Sequence, residues 1–215
     1  MVARHLPNLI TLARLLLAAG VFVFMSRALD QAPGSPAAHA TLQWAFWLWL
    51  IAAVSDTLDG WLARKHGWIT PLGRIADPVV DKVLTLGALA YIVPGQHVYA
   101  RPDDLMPVMP VWALVILLTR EFLVTALRGF VESRGLAFPA ERSGKWKMAV
   151  QSIFIGVVIG SAAGAAGSLH LQWLEDQLRQ PWCLAFLFWA MIALTAGSGI
   201  SYCARAARML AAPAR

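Results

Sequence analysis

Apolar residues run along this chain in blocks of nearly bilayer-spanning length, separated by short stretches rich in proline, glycine and charge. The blocks are Asn8–Met25, Leu42–Leu62, Leu72–Ile92, Val108–Val131, Lys147–Ala163 and Trp182–Tyr202. Each is near the roughly 20 residues that a helix needs to cross a hydrocarbon core. The pattern therefore predicts an all-α integral membrane protein with six transmembrane helices. Helix-start signals agree: Pro7 opens the first block, and Thr70-Pro71, a capping hydroxyl followed by a first-turn proline, opens the third. Breakers fill the connections at Ala32 to Pro36, Pro94-Gly95, Gly135 to Pro139 and Gly160 to Ser168. The polar stretch Leu169 to Leu178 reads as a short interfacial helix.

Composition sharpens the class. The 215 residues are 59% hydrophobic and only 14% charged, with a mean hydropathy of +0.61, against roughly 45–50% and about 25% in soluble domains. The net charge of +6 does not indicate nucleic acid, because the basic residues lie between apolar spans and form no patch on a soluble domain. Of the 18 lysines and arginines, only Arg27, Arg101 and Arg179 fall on one side of a six-span arrangement. All the others fall on the opposite side, which puts both termini in the cytoplasm. Trp44, Trp47, Trp68, Trp146, Trp173 and Trp182 sit near span ends and read as an interfacial belt. The first block is long enough to span, and the nearest small-residue cleavage pattern, Ala38-His39-Ala40, lies too far beyond it for a signal peptide. Cys183 and Cys203 share one span about 30 Å apart and are predicted to be free thiols. The five histidines are scattered without metal-ligand spacing. No repeat or linker divides the chain, so residues 1–215 read as one membrane domain.

Against this background four carboxylates stand out. They lie in the pattern D-x2-D-G-x2-A-R-x8-G-x3-D-x3-D, with Asp56, Asp59, Gly60, Ala63, Arg64, Gly73, Asp77 and Asp81 at its fixed positions. A carboxylate within membrane-spanning helices is costly and marks function by default. Asp56 and Asp59 share a face at the inner end of the second span, and Asp77 and Asp81 share one on the first turns of the third. The basic linker between them is short, so the helices are expected to be antiparallel neighbours with facing acids. A purely structural role, pairing with Arg64, Arg74 and Lys82, leaves an excess of negative charge that bound dications would neutralise. Oxygen donors without cysteine or histidine favour Mg²⁺, Mn²⁺ or Ca²⁺. Gly60 and Gly73 clear space for a ligand or a neighbouring helix, and Pro78 removes a helical bond from the turn of Arg74. A two-metal carboxylate site serves in-line displacement at phosphorus, and the cytoplasmic arginines and lysines suit a phosphorylated substrate. An ion-coupled transporter is the rival from another class. It wants acids near the midplane and broken helices in both halves, whereas these acids crowd one interface.

The Asp56-to-Asp81 pattern resembles the signature of the CDP-alcohol phosphatidyltransferase family and matches it at every fixed position. The resemblance implies a six-helix membrane enzyme, homodimeric, that transfers a phosphatidyl or related group from a CDP-linked donor to an alcohol and releases CMP. It implies that Asp56, Asp59, Asp77 and Asp81 hold two divalent cations, Mg²⁺ or Mn²⁺, and that Asp81 is also the catalytic base. Gly60, Arg64 and Thr70 would contact the donor, CDP-diacylglycerol.

Three further segments resemble the branch of this family formed by bacterial phosphatidylglycerophosphate synthases. They are Leu6 to Arg14, Arg120-Glu121 with Ala126-Leu127-Arg128, and Gly144-Lys145-Trp146-Lys147 with Gln151. Met148 departs from that branch, where threonine is common. The branch implies sn-glycerol 3-phosphate as acceptor, a bacterial inner-membrane location and a site facing the cytoplasm. A phosphate monoester carries about two negative charges near neutral pH. Arg120, Arg128, Arg142 and Lys145 are the expected acceptor-phosphate ligands, with Lys147 beside them and Glu121 orienting one of the cations. Inositol phosphate, serine and phosphatidylglycerol are the alternative acceptors.

Overall fold

The computed structural model describes residues 6–66, 71–99, 108–136, 138, 142–165, 172–178 and 180–211. Side chains are described for these except at 6–10, 56–66, 71–78, 142–143, 172 and 174–175. Every regular element among the described residues is helical. In chain order they are α1 (Leu6–Leu29), α2 (Pro36–His66), α3 (Pro71–Ile92), α4 (Gln96–Tyr99), α5 (Val111–Ser133), α6 (Arg142–Ala163), α7 (Gln172–Leu178) and α8 (Pro181–Ala211).

All six apolar blocks are helices, and the shifts in their ends have local causes. α2 starts at Pro36, six residues before the predicted block, because Pro36 takes the first helical position rather than closing the loop. Ser35 caps it, its Oγ accepting the Ala38 N–H at 3.1 Å. α5 ends where Gly135 adopts φ +74°, a conformation that costs glycine nothing. The Gly135 and Leu136 N–H groups then donate back to the Glu132 and Val131 carbonyls, closing the last turn. α6 begins at Arg142, so the expected phosphate ligands Arg142 and Lys145 lie on its first turn. α8 continues to Ala211 and carries Arg205 and Arg208 on its final turns. The short helix expected within Leu169 to Leu178 appears as α7, over Gln172–Leu178, and Cys183 and Cys203 are both free.

Among the described residues four helices are long and apolar enough to cross a membrane, within α1, α2, α6 and α8. α3 and α5, at 22 and 23 residues, are long enough but interrupt their apolar faces with charge. The helices contact one another in the order α3–α1–α2–α6–α8–α5, and α5 closes the ring loosely against α3. Glycines allow the closest approaches within that ring. Trp49 and Phe46 of α2 lie over Gly156 and Gly160 of α6, where an added Cβ would stand 2.7 and 2.8 Å from the rings. Phe22 of α1 covers Gly87 of α3 in the same way. Small residues thus set the helix spacing, as membrane packing generally requires.

This packing generates a direct test. Gly156→Ala forces a methyl group into Trp49 and is expected to cost about 1–3 kcal/mol of stability. A thermal melt in detergent checks this, and replacing Trp49 by the smaller leucine in the Gly156→Ala background should recover part of the loss.

Candidate active site

Four helices of the ring enclose a cavity of about 320 Å³. α5 contributes most of its wall, because Arg120, Glu121, Val124, Thr125 and Arg128 fall on one helical face. α3 adds Asp81 and Lys82, the first turn of α6 adds Gly144 and Lys145, and α8 adds Tyr202. Lys82, Arg120, Arg128 and Lys145 therefore face two carboxylates, Asp81 and Glu121. The described lining carries excess positive charge around one described aspartate.

Glu121 organises the floor. Its Oε1 accepts a hydrogen bond from Arg120 Nη1 at 3.0 Å and another from Lys147 Nζ. Glu121 is 8% exposed and Lys147 2%, so neither ion has water to turn to. Breaking such a pair strands a buried charge and costs about 3–5 kcal/mol, which makes the cluster a strong lock between α5 and α6. Asp81 attracts Lys147 as well. Arg120 is held further by Ser198 of α8, whose Oγ accepts from Nε at 3.1 Å, and its guanidinium lies 5.5 Å from the Tyr202 ring centroid.

Tyr202 gathers two more arginines. Its hydroxyl accepts from Arg128 Nη2 at 3.4 Å, and Arg205 stacks on its ring at 5.4 Å. Arg205 also covers Phe138, which packs edge-on against Tyr202 and ties the α5–α6 connection to α8. On the opposite wall Lys82 Nζ donates to Thr125 Oγ1 at 2.6 Å, and Thr125 in turn donates to the Glu121 carbonyl at 2.7 Å. The Lys82–Thr125 bond crosses the loose α3–α5 seam. Outside the seam lies an apolar groove of about 560 Å³ lined by Phe22, Val79, Val83, Leu86, Gly87 and Phe122. Lys82, Glu121 and Thr125 border both spaces.

The expected site residues distribute as follows. Arg120, Arg128 and Lys145 come together around the cavity, with Asp81 on its α3 wall. Asp56, Asp59, Gly60 and Arg64 fall in the last turns of α2, and Asp77 lies one turn before Asp81 in α3, which runs on through Pro78. The side chains of those five residues and of Arg142 lie outside the described residues, as does Thr70 entirely. Among the described residues no three metal-binding side chains gather, and Asp81 is the one member of the aspartate set that they include.

Lys147 does not line the cavity; it is buried behind it as the partner of Glu121. Tyr202, Ser198 and Thr125 were not expected at the site. The available signal was the spacing of Thr195, Ser198 and Tyr202, which puts three polar side chains on one face of an apolar helix, and that face is buried.

Comparison with known proteins gives this arrangement a family. Residues 4–197 match the family model described as CDP-alcohol phosphatidyltransferase. The chain is 33% identical over 204 residues to a probable phosphatidylglycerophosphate synthase of Mycobacterium tuberculosis, covering 95% of this chain and 82% of the relative. It is 32% identical over 161 residues to a CDP-diacylglycerol–glycerol-3-phosphate 3-phosphatidyltransferase of Bacillus subtilis, covering 72% and 76%. A Rickettsia felis protein of the same name is 25% identical over 201 residues, covering 93% of each chain. With the signature matched at every fixed position and the family model spanning nearly its whole length, the chain belongs to the CDP-alcohol phosphatidyltransferase family.

Proposed function

We propose that this protein transfers the phosphatidyl group of CDP-diacylglycerol to sn-glycerol 3-phosphate, giving phosphatidylglycerophosphate and CMP. The observation that carries the reading is the convergence of Arg120, Arg128 and Lys145 on the cavity that Asp81 borders. Fixed cations beside a carboxylate suit an acceptor that is dianionic at one end and must lose a hydroxyl proton at the other. The names of the relatives point to the same pair of substrates.

In this reaction the acceptor hydroxyl oxygen forms a bond to the phosphatidyl phosphorus. The bond from that phosphorus to the bridging oxygen of CMP breaks, and the proton passes to Asp81. An aspartate is a weak base, so Asp81 acts through position: it takes the proton as the oxygen commits to phosphorus. Arg120, Arg128, Arg142 and Lys145 hold the acceptor phosphate, and Gly60, Arg64 and Thr70 hold the donor. The four aspartates are carboxylate oxygen donors throughout, which fits hard divalent cations, and their described member borders the cavity. Asp56, Asp59, Asp77 and Asp81 would hold two Mg²⁺ or Mn²⁺ ions. Such ions supply charge neutralisation to the pyrophosphate and to the departing CMP.

The lipid donor reaches the site from the bilayer. The apolar groove shares Lys82, Glu121 and Thr125 with the polar cavity, and this supports a sideways approach of the acyl chains. In this reading α3 and α5 are also transmembrane, completing six spans with both termini in the cytoplasm. Their charged residues fall short of an ordinary apolar span because Asp81, Lys82, Arg120, Glu121 and Arg128 serve the cavity. The enzyme is then one membrane domain of residues 1–215 in a bacterial inner membrane, homodimeric, with its site open to the cytoplasm.

Two measurements test the proposal. Purified protein given CDP-diacylglycerol, Mg²⁺ and one acceptor at a time should release CMP with glycerol 3-phosphate and not with glycerol, serine or inositol phosphate. Release with serine alone would contradict the acceptor and leave the aspartate chemistry standing. Asp81→Asn should lower kcat by at least about 10²-fold, the usual scale for general-base catalysis, with an unchanged thermal midpoint. Full activity in that variant would remove Asp81 from the reaction.

A further inference from the structure

Arg120 is held more closely than a surface cation that merely attracts phosphate. A guanidinium has five N–H groups arranged in a rigid plane. Here Nε–H is taken by Ser198 Oγ at 3.1 Å and one Nη1 proton by Glu121 Oε1 at 3.0 Å. The ring of Tyr202 lies beside the guanidinium. The stem is fixed too: a Cβ at Gly199 would stand 3.2 Å from Arg120 Cγ, so the arginine lies along a strip of α8 that has no side chain. The protons left over belong to Nη2 and to the second position of Nη1. Nη2 lies toward Gly144, where an added Cβ would stand 4.0 Å from it, at the opening turn of α6. Nη1 and Nη2 can thus each still offer an N–H, and the paired outer nitrogens of an arginine grip a phosphate with two parallel bonds.

Ser198 is suited to this task and to little else. It is 2% exposed on an apolar helix, and its hydroxyl proton is committed to the Thr195 carbonyl at 3.0 Å. With that proton spent, the oxygen presents only its lone pairs to Arg120, so the hydroxyl acts as a one-way acceptor. Alanine would fill the same helical position without loss of packing, but it would leave the Nε–H partnerless in a largely buried site, where an unmet donor is costly. The side chain would then turn to satisfy Nε and carry the phosphate-binding edge with it.

We propose that Ser198 is a positioning residue for the acceptor: with Glu121 it fixes the plane of Arg120 so that the two outer nitrogens meet the acceptor phosphate together. The proposal rests on the acceptor reading given above. Binding energy then goes to a guanidinium that is already oriented, which favours affinity for the phosphorylated alcohol over affinity for the lipid donor.

The test is a KM split. Ser198→Ala is expected to raise KM for glycerol 3-phosphate about tenfold, the loss of roughly one charge-assisted hydrogen bond, with KM for CDP-diacylglycerol within about twofold of the parent. Ser198→Thr and Ser198→Val place nearly the same volume at the site and differ in the hydroxyl. Threonine should keep the parental acceptor KM better than valine, even if both lower the thermal midpoint alike. In an Arg120→Ala background, Ser198→Ala should add nothing to the acceptor KM. Equal effects of Ser198→Ala on both substrates, or equal acceptor KM values in the threonine and valine variants, would overturn the proposal and leave Ser198 a packing residue. The acceptor reading fails separately: if Arg120→Ala itself leaves the glycerol 3-phosphate KM unchanged, that reading is wrong and the positioning role falls with it.

Discussion

A charge inside an apolar bundle must be paired, and Glu121 is where this protein meets that constraint. One carboxylate, nearly shut off from solvent, accepts from Arg120 of its own helix and from Lys147 of α6. Its removal would leave buried Lys147 without its hydrogen-bonded counter-ion, so the relation between α5 and α6 is fixed by electrostatics as much as by packing. The same carboxylate decides which cations are available for other work. Lys147 is neutralised and withdrawn behind the cavity. Arg120 is half-used, and Arg128, Lys145 and Lys82 line the open space. Burial thus sorts five similar cations into an anchor and a receptive set.

The ring of helices explains where that set faces. Contacts are extensive from α3 through α1, α2, α6 and α8 to α5, and thin where α5 returns to α3. A closed ring would make the polar cavity reachable only from the aqueous side. At the thin seam the side-chain bond from Lys82 to Thr125 stands between the cavity and the apolar groove. Under the proposed reaction a water-soluble acceptor and a lipid donor need different approaches to one phosphorus, and a polar cavity beside an apolar groove suits both.

Much of this was legible in the sequence, for reasons that are physical. Apolar blocks of spanning length can hardly be anything but helices, because lipid offers the backbone no other partner. The aspartate signature stood out in the sequence because carboxylates in apolar segments are rare and their spacing is helical, and of its four aspartates Asp81 is seen at the cavity. Arg120 and Arg128 were legible as a pair because eight residues bring a helix back to nearly the same face. Pro36 misled because proline both breaks and starts helices, and only the Ser35 cap decides between them. Lys147 was not legible, since nothing local distinguishes a lysine that meets lipid or phosphate from one that meets a glutamate 26 residues earlier. Ser198 was less legible still. In a run of alanine, glycine and serine it looks like small-residue packing, and its partner Arg120 is 78 positions away.

The central claim is that Arg120, Arg128 and Lys145 form a receptor for a phosphate monoester beside Asp81. The most direct measurement is a structure of the protein with glycerol 3-phosphate bound in the presence of Mg²⁺. The account predicts the phosphate within hydrogen-bonding distance of the outer nitrogens of Arg120 and of Arg128 or Lys145, with a free hydroxyl turned toward Asp81. A phosphate bound elsewhere, with these cations unchanged and turned away from it, would contradict the account.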